Sequence, residues 1–397
     1  MEILVRNGDS LWYYSRLLSI PYILIKDSNP NMHSGNIEAG KKVHLPGIAV
    51  QRYKIKNGDT FFKIAEEKDI PIDALYLFNQ QVDPKEIFVK DEINIPYVLP
   101  FPCIQGKRKY DSQVLKRDID HLMQTYPFIK KQTIGHSVQG KPIDMLIVGK
   151  GKKKVHINGS FHGNEWITTA ILMKFINEYA RALTIEASMN DVSSLDLYKN
   201  TTLLAVPMVD PDGVDLVLHG PPKDAELKEF VLNLNKGKKD FSSWKANIRG
   251  VDLNNQFPAR WEMEQPRKPK KPAPRDYPGK APLSEPEAIA MAQAAQKYDF
   301  DRVVALHTQG KELYWGFEGE EPMPVSQQIA DEFERVSGYK AIRYVDSYAG
   351  YKDWFIQEFR RPGFTIELGF GVNPLPLGQF DKIYEETRGI LIASLYM

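Results

Sequence analysis

Cysteine is almost missing. The 397 residues include one, Cys103, which excludes an internal disulfide and any metal site built from cysteines. Long apolar runs are missing as well. No stretch approaches the roughly 18 to 20 residues that a membrane-spanning helix needs, and the opening MEILVRNGDSLW lacks a basic end followed by an apolar core. The sequence therefore predicts no membrane span and no cleaved export signal, and one cysteine fits a reducing, cytoplasmic compartment while remaining compatible with export by another route. Charge of one sign is scarce too. The 52 Lys and Arg are balanced by 51 Asp and Glu, a formal net charge of +1, so bulk charge gives no reason to expect nucleic acid or an anionic membrane as partner. What remains is an ordinary globular composition, 42% hydrophobic and 26% charged, in a chain long enough for two or three domains.

An offset of 50 residues superposes the first hundred residues on themselves without gaps. Asn7-Gly8-Asp9 falls on Asn57-Gly58-Asp59, Ile20-Pro21 on Ile70-Pro71, Asn29 on Asn79, Ile37 on Ile87 and Pro46 on Pro96. Each copy reads as a short strand, an Asn-Gly-Asp turn where glycine admits positive φ, and a helix capped by the oxygens of Asp9-Ser10 or Asp59-Thr60. The helix breaks before Pro21 or Pro71, a second short helix ends near Asn29 or Asn79, and a closing strand returns, giving a βααβ unit. This pattern resembles the LysM module, in two copies placed at residues 1–48 and 49–98. The resemblance implies binding to N-acetylglucosamine-containing glycan, with Asp9, Ser10, Asn29, Asp59, Thr60 and Asn79 as candidate contacts at the signature positions. Trp12, Tyr13 and Phe61 are candidate stacking rings.

Pro100, Pro102 and Cys103 punctuate the chain, and residues 103–397 then alternate helical and strand patterns, an α/β architecture. Helices are expected over 111–126, 167–183, 285–297 (with Ser284 and Glu287 as a capping box) and 378–396. Buried strands are expected at 145–148, 155–158, 203–206, 303–306 and 364–368. Residues 266–282, rich in Pro and Lys, read as a surface loop, and Arg267, Lys268, Lys270 and Lys271 within it as a solvated charged turn rather than a nucleic-acid site. After the strand at Val155, a turn delivers His162, with Glu165 three residues later at a helix start. His307 directly follows another strand. Two histidines and a glutamate with an open fourth position describe a catalytic zinc site.

The same segments resemble the zinc metallocarboxypeptidase family, the carboxypeptidase A superfamily. Its His-x-x-Glu reads here as His162-Gly163-Asn164-Glu165, and its Asn-Pro-Asp-Gly turn as Asp210-Pro211-Asp212-Gly213. Its Gly-Val-Asp-x-Asn-Arg reads as Gly250-Val251-Asp252-Leu253-Asn254-Asn255, and its Phe-Thr-x-Glu-Leu as Phe364-Thr365-Ile366-Glu367-Leu368. The resemblance implies a mixed-sheet catalytic domain, one zinc ion held by His162, Glu165 and His307, and Glu367 as general base. It also implies that Lys245, standing where the family has arginine, polarises the scissile carbonyl.

One departure bears on specificity. Where the family's Asn-Arg pair clamps a terminal carboxylate, this sequence has Asn254-Asn255, and an amide cannot supply the forked charge. Cleavage with chain continuing beyond the scissile bond becomes possible. Lys352, aligned with the base of the family's side-chain pocket, is a candidate reader of a substrate carboxylate, and Tyr348 or Tyr351 a candidate for the family's mobile tyrosine. Paired LysM modules ahead of such a domain resemble bacterial endopeptidases that cut peptidoglycan stem peptides between γ-D-glutamate and diaminopimelate or lysine. The resemblance implies peptidoglycan or muropeptides as substrate, recycled in the cytoplasm or exposed during sporulation or lysis. A carboxypeptidase trimming terminal residues and an inactive wall-binding protein are the competing expectations.

Overall fold

The computed structural model describes residues 1–32 and 37–397. The chain divides into two compact units: residues 1–104 with 119–130 and 177–195, and residues 105–118, 131–176 and 196–397. The division thus does not fall at a single point in the chain.

In the first unit, β1 (Glu2–Leu4), α1 (Leu11–Leu18), α2 (Tyr22–Ser28) and β2 (Lys42–His44) are repeated as β3 (Ile48–Lys54), α3 (Phe61–Glu67), α4 (Ile72–Phe78) and β4 (Glu92–Val98). β1 pairs antiparallel with β2, and β3 with β4. The 50-residue period extends to individual hydrogen bonds. Ser10 and Thr60 cap α1 and α3, accepting from Tyr13 N and Lys63 N at 3.1 and 3.2 Å. Asn29 Nδ2 donates to Ile25 O and His44 O while its Oδ1 accepts from His44 N. Asn79 does the same with Leu75 and Asn94. These two asparagines are buried and tie the last helical turn to the closing strand, which corrects their expected role as sugar contacts: their polar atoms are already spent. Asp9 accepts from Arg6 and Tyr14, and Asp59 from Lys56 N and Tyr53, so they too fix the turn. The repeats are joined through Arg6, whose guanidinium reaches Asp73 at 2.5 and 2.9 Å.

Phe61, expected to stack on sugar, lies in the core of its repeat with Ile64, Leu75, Ile93 and Ile95. Trp12, also expected to stack, is 61% accessible, and Phe62, related to it by the same 50-residue offset, is 60% accessible; Phe88 and Phe101 are exposed as well.

The chain continues through α5 (Ser112–Thr125), β5 (Lys130–His136), β6 (Pro142–Gly149), β7 (Lys153–Asn158) and α6 (Ile167–Thr184). A small ribbon, β8 (Ser188–Met189) with β9 (Val192–Ser193), precedes α7 (Ser194–Asn200), β10 (Thr201–Val206), α8 (Pro211–His219) and α9 (Ala225–Leu234). Then come α10 (Trp261–Glu264), α11 (Pro286–Tyr298), β11 (Arg302–His307), β12 (Glu312–Tyr314), α12 (Val325–Ser337), β13 (Lys340–Ile342), α13 (Tyr351–Phe359), β14 (Gly363–Glu367) and α14 (Phe380–Tyr396).

Eight strands form one mixed sheet in the order β13-β12-β14-β11-β7-β10-β6-β5. Its centre is parallel, β7 pairing with β10 and β11, and β11 with β14. β6 and β12 join antiparallel. Every residue of β11 is buried, as expected of a central strand covered on both faces. The α11 start differs from expectation: Glu285 is the N-cap without a side-chain cap bond. Ser284 is drawn instead to Gln256, and Glu287 is buried beneath Asn247. Among the described residues no helix is long and apolar enough to cross a membrane.

Candidate metal centre and reaction cleft

Sheet register builds the site. In the parallel pair β11–β14, His307 stands opposite Glu367, both at carboxyl ends of strands, where the crevices of α/β sheets open. β7, the neighbour of β11 on its other side, ends at Asn158 opposite Ala305, and the turn that follows turns sharply at Ser160, φ 46°. Ser160 N is held by Thr168 Oγ1 at 2.7 Å, which aims His162 and the short 3-10 turn Gly163–Glu165 back over the strand ends. Gly163 is required there: a Cβ would lie 2.6 Å from the Gly213 carbonyl.

His162, Glu165 and His307 are all buried, with one ligand atom from each within 4.8 Å of the others. Nδ1 of His162 lies 2.9 Å from Glu165 Oε1, Nδ1 of His307 lies 3.0 Å from Oε2, and the two Nδ1 atoms are 3.2 Å apart. Two imidazole nitrogens and a carboxylate turned on one point, out of water, are a donor set suited to a dication such as zinc. The sequence-predicted triad is thus brought together. Burial works to lower the His162 pKa, but the carboxylates of Glu165 and Asp252 outweigh it and raise it to about 9. Burial likewise opposes ionisation of Glu165, and the two imidazoles hold its carboxyl below the usual range.

Asp252, in the segment Gly250-Val251-Asp252, carries no role in the sequence motif alone. Its Oδ1 lies 3.1 Å from His162 Nε2, and its Oδ2 lies 2.9 Å from Lys245 Nζ. The signal available was a carboxylate in the segment that also carries Asn254 and Asn255. Lys245 and Glu367 line the same cleft as Glu165, a space of about 470 Å³ shared with Asn164, Arg275, Thr308 and Gln309. Burial, then the nearby Glu165, pushes the Glu367 carboxyl up to about 8. A cation bound at Glu165 acts in the opposite direction.

The remaining expected substrate contacts do not gather there. Tyr348 lines a second cavity with Phe317, Glu318, Tyr344, Asp346 and Asp353. Asn254 accepts from Tyr351 N at 3.0 Å, and Asn255 is buried. Lys352 is a correction. The inward face of α13 buries it, and its ammonium donates to Gly316 O at 2.8 Å and pairs with Asp353 at 2.6 Å, so its charge is consumed inside the protein rather than held for a ligand. Tyr351 is fully buried among Phe161, Phe257 and Trp354.

A mixed sheet presenting a buried His-Glu-His donor set beside a free glutamate defines a metal-dependent peptidase of the carboxypeptidase type. The zinc carboxypeptidase family matches residues 115–389, and the LysM domain matches residues 3–46 and 53–96. The chain belongs to the zinc carboxypeptidase family and is a zinc metallopeptidase with two LysM domains. It is 48% identical over 397 residues, all of both chains, to Gamma-D-glutamyl-L-diamino acid endopeptidase 1 of Lysinibacillus sphaericus. It is 46% identical over 297 residues to the uncharacterized protein YqgT of Bacillus subtilis, covering 74% of this chain and 79% of that one. Among solved structures, bovine thrombin-activatable fibrinolysis inhibitor in complex with tick carboxypeptidase inhibitor superposes with a TM-score of 0.56 at 20% identity, over 73% of this chain and 97% of that one. That likeness is one of fold.

Proposed function

We propose that the protein hydrolyses the amide joining γ-D-glutamate to a diamino acid, diaminopimelate or lysine, in peptidoglycan stem peptides. The observation that carries this reading is the end-to-end similarity to a relative named for that bond, in a chain that keeps His162, Glu165, His307, Lys245 and Glu367 around one cleft. Asn255 in place of an arginine supports it, because a pocket without the forked cation does not select a free C-terminus.

His162, Glu165 and His307 would hold zinc, which would supply Lewis acidity towards a water and the scissile carbonyl. Glu367 accepts the proton of the attacking water and delivers it to the leaving nitrogen. Lys245, its charge maintained by Asp252, faces the oxygen on which negative charge develops. Asp252 orients the His162 ring through Nε2, leaving Nδ1 for the metal. The LysM repeats hold N-acetylglucosamine-containing glycan, with the exposed rings of Trp12 and Phe62 as stacking faces beside the Ser10 and Thr60 caps.

The test is mass spectrometry of products from zinc-loaded protein given L-Ala-γ-D-Glu-meso-diaminopimelate and its D-Ala-extended forms. Release of L-Ala-D-Glu that stops with a chelator is expected. Release of terminal residues alone would mean a carboxypeptidase and overturn the reading.

A further inference from the structure

The loss of arginine at Asn255 leaves open what recognises the carboxylates of a stem peptide. We propose that Arg275 does so, pairing with the free α-carboxylate of the γ-linked glutamyl residue beside the scissile amide. This rests on the endopeptidase reading given above.

The segment carrying Arg275 belongs to the Pro- and Lys-rich stretch that the sequence presents as a surface loop. Four backbone hydrogen bonds fasten it to the segment bearing Lys245 and Asp252. Lys245 N and Ala246 N donate to Pro274 O at 2.8 and 3.0 Å, Ala273 N donates to Gly250 O at 3.0 Å, and Asp252 N donates to Tyr277 O at 2.7 Å. The backbone that places the carbonyl-polarising lysine therefore also places Arg275, which lines the reaction cleft.

The charges of that cleft single out this side chain. Glu165 belongs to the metal set and Glu367 to proton transfer. Lys245, kept charged by Asp252 at 2.9 Å, is assigned to the scissile carbonyl. Arg275 engages Asp276 Oδ2 through Nε at 2.9 Å, and its two terminal nitrogens have no partner among the described residues. Those nitrogens form the fork that grips a carboxylate with two parallel bonds. Asp276 also reaches Lys245 Nζ through Oδ1 at 3.5 Å, so one carboxylate bridges the two cations and holds the guanidinium beside the lysine.

Substrate chemistry fits this spacing. In a γ-glutamyl amide the α-carboxylate is separated from the scissile carbonyl by the α-carbon and two methylenes. A carbonyl oxygen at Lys245 thus brings its own residue's carboxylate towards the guanidinium that shares Asp276 with the lysine. Among ordinary α-linked residues only glutamate places a carboxylate at that separation, so Arg275 would select a glutamyl residue on this side of the cut and not a chain end.

The experiment compares kcat/KM for the zinc-loaded full chain, Arg275→Gln and Arg275→Lys on three tripeptides: the free acid, the form amidated at the glutamyl α-carboxylate, and the form amidated at the diaminopimelate carboxylate. The wild-type chain should prefer the free acid to the glutamyl amide by roughly tenfold to a hundredfold. Arg275→Gln should collapse that ratio, chiefly through KM on the free acid, and Arg275→Lys should restore part of it. An equal loss on all three substrates, or a ratio that follows the diaminopimelate carboxylate, would overturn the assignment. Failure of the endopeptidase reading shows separately, as absence of L-Ala-D-Glu from the wild-type reactions, and the assignment would fall with it.

Discussion

Oδ1 of Asp252 lies 3.1 Å from Nε2 of His162, both side chains buried. The contact assigns the two ring nitrogens separate tasks, Nε2–H donating to the carboxylate and Nδ1 turned to Glu165 and His307. Because the other oxygen of Asp252 faces Lys245, one carboxylate ties the ligand set to the cation beside it. Asp252→Asn keeps the shape and removes the charge. Zinc affinity, read by competition with a chromophoric chelator, should fall roughly tenfold or more; unchanged affinity would mean that the ring is oriented by something else.

Glu367 lies outside the ligand set yet lines the same cleft. Glu367→Gln should lower kcat by roughly 10²- to 10⁴-fold while the zinc content, measured by atomic absorption, stays at one ion per chain. Comparable turnover in this variant would remove Glu367 from the proton-transfer role.

Glu287 offers a test of pH-dependent stability. Burial first, then Asp212 and Glu285, pushes its carboxyl up to about 7 from the ordinary value of 4.5. With the folded pKa above the unfolded one, the folded chain binds the extra proton, so the stabilisation is complete below about 4.5 and is lost as pH rises through about 7. Glu287→Gln removes this titration. Between about pH 5 and pH 8 the variant should gain stability relative to wild type, by up to roughly 3 kcal/mol. Urea unfolding at both pH values measures it; a constant difference would place the pKa elsewhere.

Trp12 and Phe62 test the glycan reading independently of catalysis. The double substitution Trp12→Ala, Phe62→Ala removes two exposed rings and should weaken sedimentation with insoluble peptidoglycan roughly tenfold, while hydrolysis of a soluble tripeptide is unchanged. Undiminished binding would move the glycan contact off these faces.

Much of this was legible in the chain itself, because it depends on local spacing. The 50-residue period, the prolines that break each first helix and the Ser10 and Thr60 caps act over a few residues, and the structure repeats them bond for bond. His162 and Glu165 are three apart on one turn, and His307 and Glu367 each close an apolar strand, so their convergence at strand ends follows from a parallel sheet. Side-chain direction is another matter. Phe61 and Phe62 are adjacent and chemically identical, and only packing decides which enters the core. Lys352 has the sequence of a pocket base, yet Asp353 and Gly316 satisfy it internally once α13 is docked. Arg275 sits in a stretch whose composition reads as solvent-facing, and long-range backbone bonds to the segment 245–252 bring it to the cleft. The sequence by itself determined the two modules and brought forward His162, Glu165, His307 and Glu367 as candidates, which the fold gathers around one cleft. The tertiary structure decided which charged side chains are paired within the protein and which line the cleft, because that depends on contacts between segments far apart in the chain.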